Sequence, residues 1–252
     1  DRYESTGIRG LLAVLMLVFL VSMMGAQTIG GGVIFTTYTG APEWVGITVM
    51  GVTVILYCMA GGIRSIMLTD LIQGVLMVVT AVVTFFVSLE LGGGLDVINA
   101  KLAAMDTNYV SFPGHNNSYP WQNYVSMIVM WSFFAIGQPH LFTKFFTMKD
   151  HRTMFKAVIL GTLGMWFSAS FIEWCGVTGI IAFPGLEGKN SDFVVPLILQ
   201  GGLSPILSSL MVAGIFSAGM STISSLLLTA TSAASRDLYQ KILKRDATDE
   251  ET

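Results

Sequence analysis

The chain has 252 residues, of which 53% are hydrophobic and only 12% are charged. Because soluble domains usually carry about 25% charged residues, this composition excludes an ordinary soluble domain and is typical of a membrane protein. The net charge of −3 is too small to indicate a nucleic-acid partner.

A helix needs about 20 mainly apolar residues to cross a bilayer, and six segments of the sequence meet this requirement. In chain order they are 8–38, 44–60, 66–91, 124–146, 154–183 and 203–228, the last continuing as helix to about residue 243. The connection 92–122 is predicted to be a polar loop, since it is rich in Gly, Asn and His. The sequence therefore predicts one all-α transmembrane domain over 1–252.

The basic residues indicate how these spans are oriented. With six spans, both termini lie on one side of the membrane, and that side holds eleven of the 13 Lys and Arg residues. They are Arg2, Arg9, Arg64, Lys144, Lys149, Arg152, Lys156, Arg236, Lys241, Lys244 and Arg245. Only Lys101 and Lys189 lie on the other side. Cytoplasmic loops are enriched in basic residues, so we predict a multi-pass protein of the cell membrane with both ends in the cytoplasm.

Two carboxylates lie inside predicted spans, where ionisable groups are costly and often functional. Asp70 is about a turn and a half into the third span. It is either functional or an interfacial residue that pairs with Arg64 or caps a helix. Glu173, in the outer half of the fifth span, is close enough to the surface for the structural interpretation to be favoured.

The fourth predicted span contains Pro139, which lacks a backbone N–H and clashes with the preceding turn. Gly137 lies two residues earlier, so we expect a kink or break here, flanked by Gln138 and His140. A broken helix frees backbone groups that transporters use to bind substrate near the midplane. The alternative is an ordinary proline kink in which a neighbouring helix satisfies Gln138.

The last span is dense in hydroxyl groups. Ser221 and Thr222 follow Ala218 at i+3 and i+4, so the three residues share one face of the helix. The Ala218 carbonyl and the two hydroxyls could present neutral oxygens to a hard cation. The alternative is close helix packing by small residues, which is our interpretation of Ser217 and Ser225.

Three motifs occur along the chain in this order: GGIRSIMLTDLIQG (61–74), GQPHLFTKF (137–145) and SAGMSTISSLLL…SRDLY (217–239). Together they resemble the sodium:solute symporter family, which has a LeuT-type inverted-repeat fold with ten core helices. The resemblance implies that the six spans are helices three to eight of that core. It also implies a sodium-coupled transporter that takes up a small solute, and not an enzyme. Because the sequence opens without Met, we expect the remaining transporter helices to lie outside this chain.

The resemblance also assigns site residues. It implies that sodium is bound by Ala218, Ser221 and Thr222, with further ligands from the absent, broken helix one. Asp70, with Thr69 beside it, corresponds to a residue on the cytoplasmic path of the ion.

The solute site implied by the resemblance comprises Gln27, Trp131, Ala135, Gln138 and Pro139. The connection 92–122 and the segment SDFVVPLIL resemble the pantothenate-transporting branch, although that branch has an apolar residue in place of Gln138. Trp131 and GQPH also occur in the proline branch, which has Tyr where this chain has Ala135. We therefore favour pantothenate or a related carboxylate, with proline as the alternative solute.

Two other classes of protein were considered. Transporter-like domains of this kind can serve as the sensor input of a signalling kinase, and a kinase module after Thr252 would indicate that class. An intramembrane enzyme is disfavoured because the three histidines, His115, His140 and His151, do not form an HExxH pattern.

Overall fold

The computed structural model describes residues 5–134, 137–186, 188–244 and 248. Within these residues the secondary structure is helical and contains no strand, which confirms the predicted all-α class. A helix satisfies its own backbone N–H and C=O groups, as a segment in lipid must. Contacts divide the chain into two compact units, one formed by Asp1–Gly74 with Phe216–Thr252 and the other by Val75–Ile215.

The α-helices of the described residues follow one another with short connections. They are α1 (Thr6–Thr39), α2 (Glu43–Gly92), α3 (Leu95–Met105), α4 (Trp121–Phe134), α5 (Pro139–Phe146), α6 (His151–Ala182), α7 (Val194–Gly202) and α8 (Pro205–Ser232). A π-helical segment, Ala233–Leu243, continues α8. It ends where the sequence predicts the last helix to end. The polar loop predicted at 92–122 is partly helical, because it contains α3.

Gly62 interrupts α2 with a φ of 55° and a ψ of −147°, a left-handed conformation that favours glycine. Tyr57 and Asp70 flank it and would lie about 20 Å apart in a straight helix. Instead, the Tyr57 hydroxyl donates to the Met220 carbonyl, and Asp70 accepts from Ser224, one turn further along α8. The chain therefore turns back on itself at Gly62.

The number of spans differs from the prediction. Four helices are long and apolar enough to cross a membrane, namely α1, α2, α6 and α8 with its continuation. A fifth candidate is formed by α4 and α5, which are bent by 44°. Six spans are thus not confirmed, because the predicted spans 44–60 and 66–91 fall within the single element α2, on either side of Gly62. The single domain over 1–252 stays a prediction.

The first unit is built on methionine and aliphatic side chains between α1, α2 and α8. Met50, Val54 and Ile223 form one buried cluster, and Leu20 and Leu226 belong to a second. At one end of this unit, α1 packs against the π-helical segment. A Cβ added to Gly10 would lie 3.0 Å from the Cδ1 atom of Ile242. The two ends of the unit therefore lie together, while their cytoplasmic location stays a prediction.

In the second unit, the later part of α2 approaches α8 closely. Thr80 is buried and donates to the Met211 carbonyl at 3.3 Å. A Cβ on Gly214 would lie 3.0 Å from the Leu76 carbonyl oxygen. Only glycine permits so short a distance between the two backbones, since lipid-embedded helices gain by close packing of small residues.

The connection between α3 and α4 is ordered by polar contacts around Asp106. One oxygen of its carboxylate accepts the Asn108 N–H at 2.9 Å, and the other lies 2.6 Å from Nδ1 of His115. The His115 ring stacks on Tyr109, with centroids 4.3 Å apart and 9° between the planes. The Asn108 N–H, and after it His115, hold the pKa of Asp106 below its ordinary value.

A carboxylate with a depressed pKa stabilises the folded loop above the unfolded pKa, and this contribution is lost as the pH falls through the lower, folded value. We therefore expect hydrogen exchange of the amides in 106–118 to accelerate, relative to intrinsic rates, as the pH falls below about 4. Asp106→Asn should expose these amides already at neutral pH. Asp96→Asn, an exposed carboxylate in the first turn of α3, serves as the matched control. Unchanged protection in Asp106→Asn would contradict the role of Asp106.

Candidate cation site on helix α8

The three oxygens predicted to hold a cation lie together on α8. The hydroxyls of Ser221 and Thr222 each donate to the Ala218 carbonyl, at 3.1 Å in both cases. Serine and threonine in helices often form such bonds to carbonyls three or four residues earlier. Each hydroxyl hydrogen points at the carbonyl, so its oxygen lone pairs remain as acceptors. The arrangement presents two acceptor oxygens beside a carbonyl, while their role in holding an ion stays a prediction.

The same bonds set a condition for cation binding. In this arrangement the Ala218 carbonyl is occupied by two hydroxyl donors. A cation that uses this carbonyl must displace the hydrogens, and both hydroxyls can rotate about their C–O bonds to do so. The exchange costs little, because each hydroxyl oxygen would then face the cation as a ligand.

Helix α1 passes beside this turn of α8. The carbonyl oxygen of Gln27 lies 3.8 Å from the position that a Cβ on Gly219 would take, and Gly219 directly follows Ala218. The Gln27 side chain is half-buried. A residue of the predicted solute site thus lies on a helix adjoining the candidate cation site.

Asp70 is joined to the same turn of α8 through Ser224. The fully buried Ser224 hydroxyl lies 3.4 Å from Oδ1 of Asp70 and 2.9 Å from the carbonyl oxygen of Ser221. Ser224 is the middle residue of the 39-residue helix Pro205–Leu243, about 29 Å from either end. Asp70 therefore lies at mid-length of that helix, which favours the functional interpretation over an interfacial one.

Thr69, the predicted neighbour on the ion path, is bound to its own helix. Its half-buried hydroxyl lies 3.0 Å from the carbonyl oxygens of both Ser65 and Ile66. The structure thus connects Asp70 to α8, and it ties the Thr69 hydroxyl to α2.

The sequence analysis missed two polar residues of this region. Tyr57 donates to the Met220 carbonyl at 3.0 Å. Gln73 is buried and interacts with the Tyr57 hydroxyl, while its Oε1 has no hydrogen-bond partner among the described residues. Gln73 could have been found, since it follows Asp70 by three residues and shares its helix face.

The predicted solute residues of the fourth span lie in the second unit. The span is broken there as predicted, and Pro139 is the first residue of α5, a position where its missing N–H costs nothing. Gln138 is 3% exposed, and its Oε1 has no partner among the described residues. Trp131 is 54% exposed and contacts Phe134. Ala135 lies outside the described residues.

Long apolar helices, a broken span and a hydroxyl-lined turn beside a mid-helix carboxylate define a class of protein, the multi-pass helical membrane transporters. Within that class, this chain belongs to the sodium:solute symporter family, whose model matches residues 1–252.

Named relatives agree with this assignment. The chain is 27% identical over 238 residues to a sodium/pantothenate symporter of Haemophilus influenzae, covering 94% of this chain and 49% of the relative. It is 29% identical over 241 residues to the sodium/pantothenate symporter of Escherichia coli, covering 96% and 50%. It is 27% identical over 246 residues to a high-affinity proline transporter of Bacillus subtilis, covering 94% and 50%.

The chain spans about half the length of the curated relatives it matches. No solved structure matches it significantly. These relatives are named as transporters, which agrees with the prediction that the chain is not an enzyme.

The contact between Ser224 and Asp70 can be tested by thermal unfolding of the purified full-length protein. Ser224→Ala should lower the free energy of unfolding by about 1 kcal/mol, because it removes a buried hydrogen bond. Ser209→Ala is the matched control on the same helix, since Ser209 is exposed and donates to the Pro205 carbonyl. Equal effects of the two substitutions would show that the Asp70 contact contributes nothing.

Proposed function

We propose that the full-length protein is a sodium-coupled symporter that imports a small carboxylate, pantothenate in the first instance, by alternating access. The observation that carries this proposal is the group of oxygens from Ala218, Ser221 and Thr222, found on α8 of a chain that belongs to the sodium:solute symporter family.

The chemistry of this oxygen group suits sodium as the transported ion. Hard cations prefer oxygen ligands, and neutral oxygens bind a monovalent ion weakly enough for it to leave again. The remaining ligands would come from helices outside this chain. Sodium and solute would together favour the inward-facing state because they bind the two states with different affinities.

Asp70 would lie on the path by which sodium leaves, with Thr69 in the preceding position. The support for this role is the contact between Asp70 and Ser224, whose hydroxyl also contacts the Ser221 carbonyl. An ion released from Ser221 would meet a carboxylate within one helical turn. The excess of basic residues near both ends supports release on the cytoplasmic side.

The solute would bind at the break in the fourth span, through Gln138, Pro139, Trp131 and Ala135, with Gln27 contributing from α1. The buried amide of Gln138 supports this role, because an unpartnered buried polar atom is costly unless a ligand or water satisfies it. Transporters commonly place substrate groups at broken helices.

Proline is the second candidate solute. A high-affinity proline transporter of Bacillus subtilis is as similar to this chain as a pantothenate symporter is, at 27% identity in both cases.

The ion assignment predicts the effect of Thr222→Ala. Loss of one hydroxyl ligand, worth about 1 kcal/mol, should raise the sodium concentration for half-maximal uptake about fivefold. Thr231→Ala is the matched control, since Thr231 is exposed and donates to carbonyls of its own helix. Sodium dependence would be measured as initial uptake by vesicles that contain the full-length protein. An unchanged sodium requirement in Thr222→Ala would exclude the site.

The solute assignment predicts sodium-dependent uptake of labelled pantothenate by the same vesicles. Unlabelled pantothenate should compete, and proline and short monocarboxylates should compete more weakly. Uptake of labelled proline in preference to pantothenate would replace the first candidate by the second. The sodium assignment would stand in that case, because Thr222→Ala tests it independently of the solute.

A further inference from the structure

A cavity of about 630 Å³ opens in the second unit at the C-terminal end of α6. We call it the loop-side cavity. Its walls come from the last turns of α6, from the segment 183–195 that follows, and from Met105 and Tyr109 of the connection after α2. Small-molecule sites commonly have volumes of about 300–1,000 Å³, so this cavity has room for a small organic ligand.

Two carboxylates, Glu173 and Asp192, line the loop-side cavity. Neither has a hydrogen bond or an ion pair with any described residue. No Lys, Arg or His is among the described residues that line it. The cavity therefore offers two uncompensated negative charges, which favours a cation over the carboxylate solute proposed above.

The rest of the lining is largely apolar and includes an aromatic ring. Ile172, Ile180 and Phe183 contribute aliphatic and aromatic surface, and Tyr109 contributes a phenol ring. Aromatic faces and edges together with carboxylates recognise ammonium groups that carry an apolar body. A metal ion is a poorer match, since no group of three His, Cys, Asp or Glu residues able to hold one exists in the described part of the chain.

Tyr109 is held in place before any ligand arrives. Its ring stacks on His115, and His115 lies 2.6 Å from the Asp106 carboxylate, which also accepts the Asn108 N–H. A wall residue that is already ordered loses little entropy on binding, which increases affinity.

We propose that the loop-side cavity is a binding site for an organic monocation, an amine or quaternary ammonium with an apolar body, recognised by Glu173, Asp192 and Tyr109. This site is separate from the cation site on α8 and does not depend on the proposed symport.

The proposal can be tested by fluorine NMR on the full-length protein in lipid nanodiscs. The probe is 4-fluorophenethylamine, and its neutral counterpart is 2-(4-fluorophenyl)ethanol. The amine should bind saturably and about fivefold more tightly than the alcohol, as expected for a partly exposed ion pair. Glu173→Gln with Asp192→Asn should remove this preference. Asp96→Asn, a carboxylate outside the cavity, should retain it.

Several outcomes would overturn the proposal. They are equal affinity for amine and alcohol, equal broadening by empty nanodiscs, an unchanged preference in the double variant, and displacement of the amine by low concentrations of Ca²⁺. The comparison of amine with alcohol needs only the unsubstituted protein, so it decides the question even if the double variant fails to fold. Asp192→Asn alone, at an exposed position, should already reduce the preference.

Discussion

In lipid, no water is present to bond a hydroxyl group, so each hydroxyl must find an acceptor within the protein. Helix α8 meets this requirement internally. The hydroxyls of Ser221, Thr222, Ser225 and Thr229 all donate to carbonyls three or four residues earlier. The hydrogens are thus bound inside the helix, and the oxygens face outward as acceptors. A helix that solves its own bonding problem in this way becomes a surface to which a cation can bind.

The same rule explains why Asp70 belongs to the site. An isolated carboxylate in lipid would be costly, and the buried Ser224 supplies a donor at 3.4 Å. Because Ser224 also contacts the Ser221 carbonyl, the carboxylate and the hydroxyl-lined face share one turn of α8. Tyr57 adds a donor to the Met220 carbonyl from the other side of the Gly62 turn. Polar residues distant in sequence are thereby collected at mid-length of one helix.

The sequence predicted features that depend on spacing within one helix. The apolar lengths predicted the helices, the i, i+3, i+4 relation predicted the grouping of Ala218, Ser221 and Thr222, and Pro139 predicted the break before α5. Contacts between helices could not be predicted in this way. Tyr57 and Met220 are separated by 163 residues, and no periodicity within either helix reveals their contact. The helix α3 was missed because its short amphipathic pattern lies among loop-forming residues.

The turn at Gly62 fixes the length of chain between itself and Asp70. Each residue of an α-helix advances the side-chain direction by about 100°. A single insertion or deletion between Gly62 and Asp70 would therefore rotate the carboxylate away from Ser224 and place Thr69 or Leu71 against α8. The eight-residue interval acts as a phase setting. Substitutions on the lipid-facing side of this segment can accumulate freely, whereas its length cannot change.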